Sequence, residues 1–137
     1  MTEPFRAEYH AQWGDMDFNQ HMANSRFLDY ASDCRMLFLE SVGLTIPVLQ
    51  ELRIGPVTLE DRVAYRREVR MLQPFTVDYC VVSNTPDWRR FRIRNVVTTE
   101  EHGVCATVEA SVIWVNLDER RPVRPPQIVT DAMAHLP

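Results

Sequence analysis

A single long helical pattern, set among runs that alternate, constrains this chain more than any other feature. Between about residues 24 and 42 the apolar set Phe27, Leu28, Ala31, Cys34, Leu37, Phe38 and Val42 recurs at the spacing of one helix face. Ahead of it Phe5, Ala7, Tyr9, Ala11 and Trp13 alternate as a strand does. Behind it strand patterns return over residues 57–70, over Phe75, Val77, Tyr79 and Val81, and over Phe91, Ile93 and Val96. A last run covers residues 104–115, with Val104, Ala106, Val108, Ala110, Val112 and Trp114 on one face. One helix with a continuous apolar stripe has to be covered. An antiparallel sheet of about five strands, wrapped around one long central helix, buries that stripe and its own inner face together. The expected class is α+β. The free edges of such a sheet invite pairing between two copies of the chain.

Punctuation residues mark the element ends. Asn24 or Ser25 is placed to cap the helix start, and Gly43 to stop the helix. Residues 46–51 read as a short second helix with Pro47 at its start. Gly55-Pro56 breaks the pattern before the second strand. Asn84-Thr85-Pro86-Asp87 and Glu101-His102-Gly103 read as turns. The tail from about residue 117 is rich in Pro and Arg and is expected to lie on the surface. With 137 residues and no internal repeat, residues 1–137 form one domain.

Charge and cysteine usage narrow the function classes. The formal net charge of −4 argues against general nucleic-acid binding. All 15 basic residues are Arg. No run is long enough to span a membrane, and Met1-Thr2-Glu3-Pro4 lacks the basic and apolar regions of a leader, so a cytoplasmic protein is expected. Cys34, Cys80 and Cys105 have neither zinc nor redox spacing, which makes them packing residues in a reducing compartment.

The chemistry is concentrated in residues 13–24, where two carboxylates, an imidazole and a carboxamide crowd one turn between strand and helix. A helix start offers free backbone N–H groups, which can hold a developing oxyanion while a carboxylate attacks or acts as base. Asp17 is the first candidate for the reacting group; the competing reading is a turn aspartate capping its own backbone. Asp15 is read as a structural hydrogen-bonding partner. His21 is a proton donor, a hydrogen-bond donor to the substrate, or a packed residue orienting the turn. Asn24 serves as N-cap, and its N–H could polarise a carbonyl. No nucleophile elbow, zincin helix or Gly-rich phosphate loop occurs, and no metal is expected because the helix start supplies the electrophilic help. Arg89, Arg90, Arg92 and Arg94 are either a solvated strand face or a grip on a phosphorylated carrier, a role the tail arginines Arg120, Arg121 and Arg124 could share.

Gly14-Asp15-Met16-Asp17, then His21-Met22-Ala23-Asn24, then Phe27-Leu28-Asp29-Tyr30 resemble the opening of the hotdog-fold acyl-CoA thioesterases, the branch typified by 4-hydroxybenzoyl-CoA thioesterase. The resemblance continues in Gly55-Pro56-Val57, in Tyr65 followed by basic residues, and in the Gly103 hairpin before Ala106. Gln20 stands where that family usually has Gly, and Ala23 where it has a first Asn. A left-handed turn at Gln20 is costlier than at Gly, so a different loop is expected there.

The resemblance implies a hotdog fold and hydrolysis of acyl-CoA to free acid and coenzyme A. It makes Asp17 the catalytic carboxylate, as nucleophile or as base through a water. It places oxyanion-binding N–H groups in the turn from His21 to Asn24. It implies a homodimer or homotetramer with the site shared between subunits. Phe18, Met22 and Phe27 would then contact the acyl group, and Arg89 and Arg90 the phosphates of coenzyme A. No cofactor is implied beyond the coenzyme A of the substrate. Alternatives within the same likeness are a carrier-protein thioesterase and an acyl-binding domain without activity.

Overall fold

A computed structural model describes residues 3–137; Met1 and Thr2, on which part of the expectation about a leader rests, lie outside the described residues. The elements run β1 (Phe5–His10), α1 (Asn24–Ser41), α2 (Ile46–Leu52), β2 (Ile54–Tyr65), β3 (Pro74–Asn84), β4 (Phe91–Thr99), β5 (Gly103–Asn116), β6 (Arg121–Val123) and α3 (Gln127–Ala134). The strands form one antiparallel sheet in the order β1-β3-β4-β5-β2. The end of β5 pairs with β2 on one side and with β6 on the other. α1 lies across this sheet and meets β1, β3, β4 and β5. This is the hotdog arrangement that the resemblance implies.

The buried face of α1 carries Phe27, Ala31, Cys34, Phe38 and Leu39. Leu39 thus replaces the expected Leu37, which is 38% exposed. Phe38 stacks on Tyr79 of β3 with ring centroids 4.4 Å apart, and Tyr30 meets Phe75 edge-on at 4.9 Å. Burying an aromatic or aliphatic side chain of this kind is worth about 1.5–3 kcal/mol. Gly43 ends the helix as expected. At φ 91° it lets the N–H groups of Gly43 and Leu44 turn back to the carbonyls of Glu40 and Leu39, at 3.0 and 2.9 Å.

The N-terminus of α1 differs from the expectation. Ala23 occupies the cap position, with no side-chain hydrogen bond, and Asn24 is already the first helical residue. The turn leading in is tied down elsewhere, so no side-chain cap is required.

Other boundaries also shift. β1 stops at His10, and Trp13, expected on the strand face, sits in a single 3-10 turn and is 81% exposed. Gly55-Pro56 does not break β2 but lies within it. Proline is tolerated there because β2 is an edge strand, where a missing N–H leaves no ladder bond unmade. In β4 the inner face continues through Asn95 and Val97, not Val96. Asn95 is buried because its carbonyl accepts from Arg35 Nε at 2.8 Å and its amide donates to the Asp78 carbonyl at 3.0 Å. A register shift between Val97 and Thr98 turns Val104 outward and buries Cys105 next to Ala106. Cys34 and Cys105 are buried and Cys80 is half-buried, all as free thiols, and burial pushes the Cys34 thiol up to about 12.

The largest departure is the tail, expected on the surface. β6 extends the sheet, and α3 buries Val129 and Met133 against the core, each 1% exposed. Tyr79 Oη donates to Met133 Sδ at 3.7 Å, and the chain end returns its Pro137 carbonyl to Val81 N at 3.0 Å. Two stability measurements check this assignment by urea denaturation. Met133→Ala is expected to cost about 2–5 kcal/mol as a cavity mutation, whereas Ile128→Ala, at a position 53% exposed, should stay within about 0.5 kcal/mol. Equal small losses would place α3 outside the cooperative core. Asn24→Ala should likewise cost less than the roughly 1 kcal/mol of a lost N-cap, because Ala23 holds that position.

Candidate active site

The turn between β1 and α1 is built around two aspartates with separate tasks. Asp15 Oδ2 accepts the Gln12 N–H at 2.9 Å and the Tyr30 hydroxyl at 2.5 Å, and Arg26 Nε lies 3.9 Å from Oδ1. Its carbonyl accepts the Ala23 N–H at 2.8 Å. Asp15 therefore fastens the turn to α1, the structural role expected of it. Burial, reinforced by this hydrogen bond, holds the Tyr30 phenol well above its ordinary value.

Asp17 organises the second half of the turn. Its N–H donates to the His21 carbonyl at 2.9 Å and its carbonyl accepts the Gln20 N–H at 3.0 Å. Its Oδ1 accepts the N–H groups of Asn19, at 2.8 Å, and His21, at 3.4 Å. The backbone-capping role is thus real; it occupies Oδ1 and leaves Oδ2 without a hydrogen bond among the described residues. Gln20 has φ 67°, so the left-handed turn is kept despite the missing glycine. The strain is on the order of 1–2 kcal/mol, and the four hydrogen bonds around Asp17 hold it.

The turn is then sewn to the segment following β2. His21 pairs with Arg70, and the Met22 N–H donates to the Val69 carbonyl at 2.8 Å. Tyr65 Oη donates to the Asn24 carbonyl at 2.9 Å, and its ring meets Phe27 edge-on at 5.4 Å. A depression of about 330 Å³ lies between them, lined by Asp17, His21, Met22, Asn24 and Phe27 on one side and Tyr65, Arg66, Arg67 and Glu68 on the other. Among the described residues, the N–H groups of Asn24 and Ser25 make no backbone or side-chain hydrogen bond within the chain. Asp17 and Asn24, the first residue at the positive helix end, therefore share one opening.

Five of the residues singled out in the sequence come together here; three do not. Phe18 projects from the same turn into solvent, 93% exposed, and does not line the depression. Arg89 pairs with Asp87 at 3.4 Å, and Arg90 lines a different depression. Both precede β4, whereas the β4–β5 hairpin, whose Glu101 binds Arg70 at 2.5 Å, adjoins the site. The nine residues of β4 separate the two ends by roughly 30 Å at strand rise. Arg92 and Arg94 flank Glu109 at 3.1 and 2.5 Å, as a solvated sheet face does.

Glu68, which no sequence motif singled out, is held below the usual carboxylate range, first by a hydrogen bond from its own N–H and then by the nearby His102 and His21. His102 Nε2 is 3.8 Å from Glu68 and makes no hydrogen bond among the described residues. The only sequence signal for residues 65–68 is a tyrosine followed by basic residues; nothing local places them opposite Asp17. Among the described residues no group of three or more His, Cys, Asp or Glu side chains is arranged to hold a metal ion, and no helix is long and apolar enough to cross a membrane. A separate apolar cavity of about 200 Å³ lies between the far half of α1, the sheet and α3, lined by Met36, Leu39, Trp114 and Met133 among others.

Comparison with known proteins agrees with this architecture. The chain is 26% identical over 129 residues to the L-carnitine dehydrogenase/betainyl-CoA thioesterase of Agrobacterium fabrum, a match covering 94% of this chain and 26% of that protein. The chain thus spans about a quarter of that relative's length. Among solved structures, a Staphylococcus aureus protein determined in complex with CoA superposes with a TM-score of 0.89 at 22% identity, covering 100% of this chain and 88% of that one. The 1,4-dihydroxy-2-naphthoyl-CoA thioesterase of Synechocystis gives 0.84 at 15% identity, covering 95% of each chain. The model of the thioesterase-like superfamily matches residues 11–133, from the end of β1 through the site turn and the whole sheet into α3, and the chain belongs to that family.

Proposed function

We propose that the chain hydrolyses acyl-CoA thioesters to free acid and coenzyme A, with Asp17 as the reacting carboxylate. The observation that carries this reading is that Asp17 and Asn24, whose N–H is unoccupied among the described residues at the start of α1, line one depression. The carbonyl oxygen of the thioester sits toward the N–H of Asn24, where the helix end stabilises the charge that develops on it. Oδ1 of Asp17 is engaged by two N–H groups, so Oδ2 is the reacting oxygen. It attacks the carbonyl carbon and displaces the thiolate, water then cleaving the mixed anhydride, or it takes a proton from a water that attacks instead. A thiolate is a good leaving group, which is why a single carboxylate and oriented donors suffice. His21 hydrogen-bonds the substrate from the rim, and Met22 and Phe27 supply apolar contact for the acyl group. Coenzyme A enters only as part of the substrate, and no other cofactor takes part.

A second copy of the chain completes the site in this reading. β2 is an open edge, with Val57 38% and Leu59 56% exposed, and its unpaired groups are suited to joining the same strand of another copy. Phe18, exposed beside the depression, then reaches the acyl group from the interface. The protein works in the cytoplasm, as the free thiols suit.

Thiol release from short, long and aromatic acyl-CoAs tests the reaction. Asn at position 17 keeps the oxygen that caps the turn, so Asp17→Asn should unfold at the wild-type temperature while kcat falls by about 10²–10⁴. Retained activity in that variant would remove Asp17 from the chemistry. Tight acyl-CoA binding without any thiol release would make the chain an acyl-binding domain, and release only from carrier-protein thioesters would change the substrate. In sedimentation equilibrium the mass should be at least twice the 16.0 kDa of one chain. A monomer at every concentration would remove the shared site.

A further inference from the structure

The end of β2 carries a device that the reaction itself does not use. Tyr65 still pairs with Ala106, but the next two residues both donate to one carbonyl, Arg66 N and Arg67 N to Cys105 O at 2.7 and 3.0 Å. Two residues opposite one is a bulge, which re-aims side chains. In an unbroken strand neighbouring side chains point to opposite faces. Here Arg66 and Arg67 line the same depression, the one that holds Asp17.

Among the described residues no carboxylate lies within 4.0 Å of either guanidinium, although the charge of Arg67 still reaches the Glu68 carboxylate. Among the described residues, nine of the 15 arginines have a carboxylate within 4.0 Å. Of the six that have none, Arg66 and Arg67 are the only two adjacent in sequence. Glu68 follows them on the same depression, yet the basic side chain within 4.0 Å of it is the imidazole of His102, at 3.8 Å. Two guanidinium groups without a close carboxylate, on residues lining one depression, form a site for an anion, and their planar forks match phosphate oxygens.

We infer that Arg66 and Arg67 hold the nucleotide phosphates of coenzyme A, the pantetheine arm running from them to Asp17. The inference rests on the proposed function and assigns the phosphate contact to this pair instead of Arg89 and Arg90, at the other end of β4.

The test compares wild type with the double variant Arg66→Gln, Arg67→Gln, on acyl-CoA and on the same acyl group carried by pantetheine, which lacks the nucleotide phosphates. Both side chains are exposed and the bulge is made by backbone groups, so the variant should fold. Its KM for acyl-CoA should rise tenfold or more with kcat within twofold, and its constants for acyl-pantetheine should not change. A parallel calorimetric titration needs no turnover: wild type should bind free coenzyme A at least tenfold more tightly than pantetheine, and the variant should lose that advantage. If that advantage exists and is lost in a protein that hydrolyses nothing, the arginine assignment stands and the hydrolase reading falls. If wild type and variant hydrolyse acyl-CoA with the same KM, or if acyl-CoA and acyl-pantetheine suffer alike, the assignment is overturned and the hydrolase reading stands.

Discussion

Everything in this molecule follows from the need to cover one helix. α1 has a single apolar stripe, and Phe27, Ala31, Cys34 and Phe38 reach burial only because β1, β3, β4 and β5 lie across them. Once that stripe is seated, the N-terminus of the helix is held over the end of the sheet. The turn that feeds it is then set against the segment leaving β2, which the sheet order places at the opposite edge from β1. The site is therefore a consequence of packing: a helix end and a strand end meet because the same core positions both.

The two aspartates of the turn show how little separates a fully committed carboxylate from one with an oxygen to spare. Asp15 has its oxygens committed to Gln12, Tyr30 and Arg26, and it anchors the turn to the helix. Asp17, two residues on, caps the turn with one oxygen and, among the described residues, keeps the other free. The cost of the left-handed Gln20 is carried by these same bonds. A turn that is strained but held at four points keeps its carboxylate in place, the pre-organisation that acyl transfer demands. Capping and chemistry look like alternatives in the bare sequence. They are compatible in the fold because a carboxylate has two oxygens.

Much of the fold and half of the site are legible in the residue pattern. The alternation of Phe75, Val77 and Tyr79, the helical spacing of α1, the stop at Gly43 and the grouping of Asp17, His21 and Asn24 all depend on contacts a few residues apart. Where the pattern misleads, a distant contact or an extra residue has intervened. The cap falls on Ala23 because Asp15 ties the turn from outside the helix. Val104 turns outward because a shift in the β4–β5 register changes its parity. The tail joins the core because Met133 and Val129 find β3 and the sheet end, which nothing nearby in the chain announces.

Local sequence settles the kinds of element, their order and the carboxylate turn, since backbone periodicity and turn chemistry act over a few residues. Which residues face Asp17 is settled only when the sheet closes. Tyr65, Arg66, Arg67 and Glu68 are more than forty positions away in the chain, and they arrive through the pairing of β2 with β5 and the bulge that ends it. A one-residue difference in that pairing would send an arginine to the other face. The register of a long-range ladder is a property of the assembled sheet, and with it comes the charge that surrounds the site.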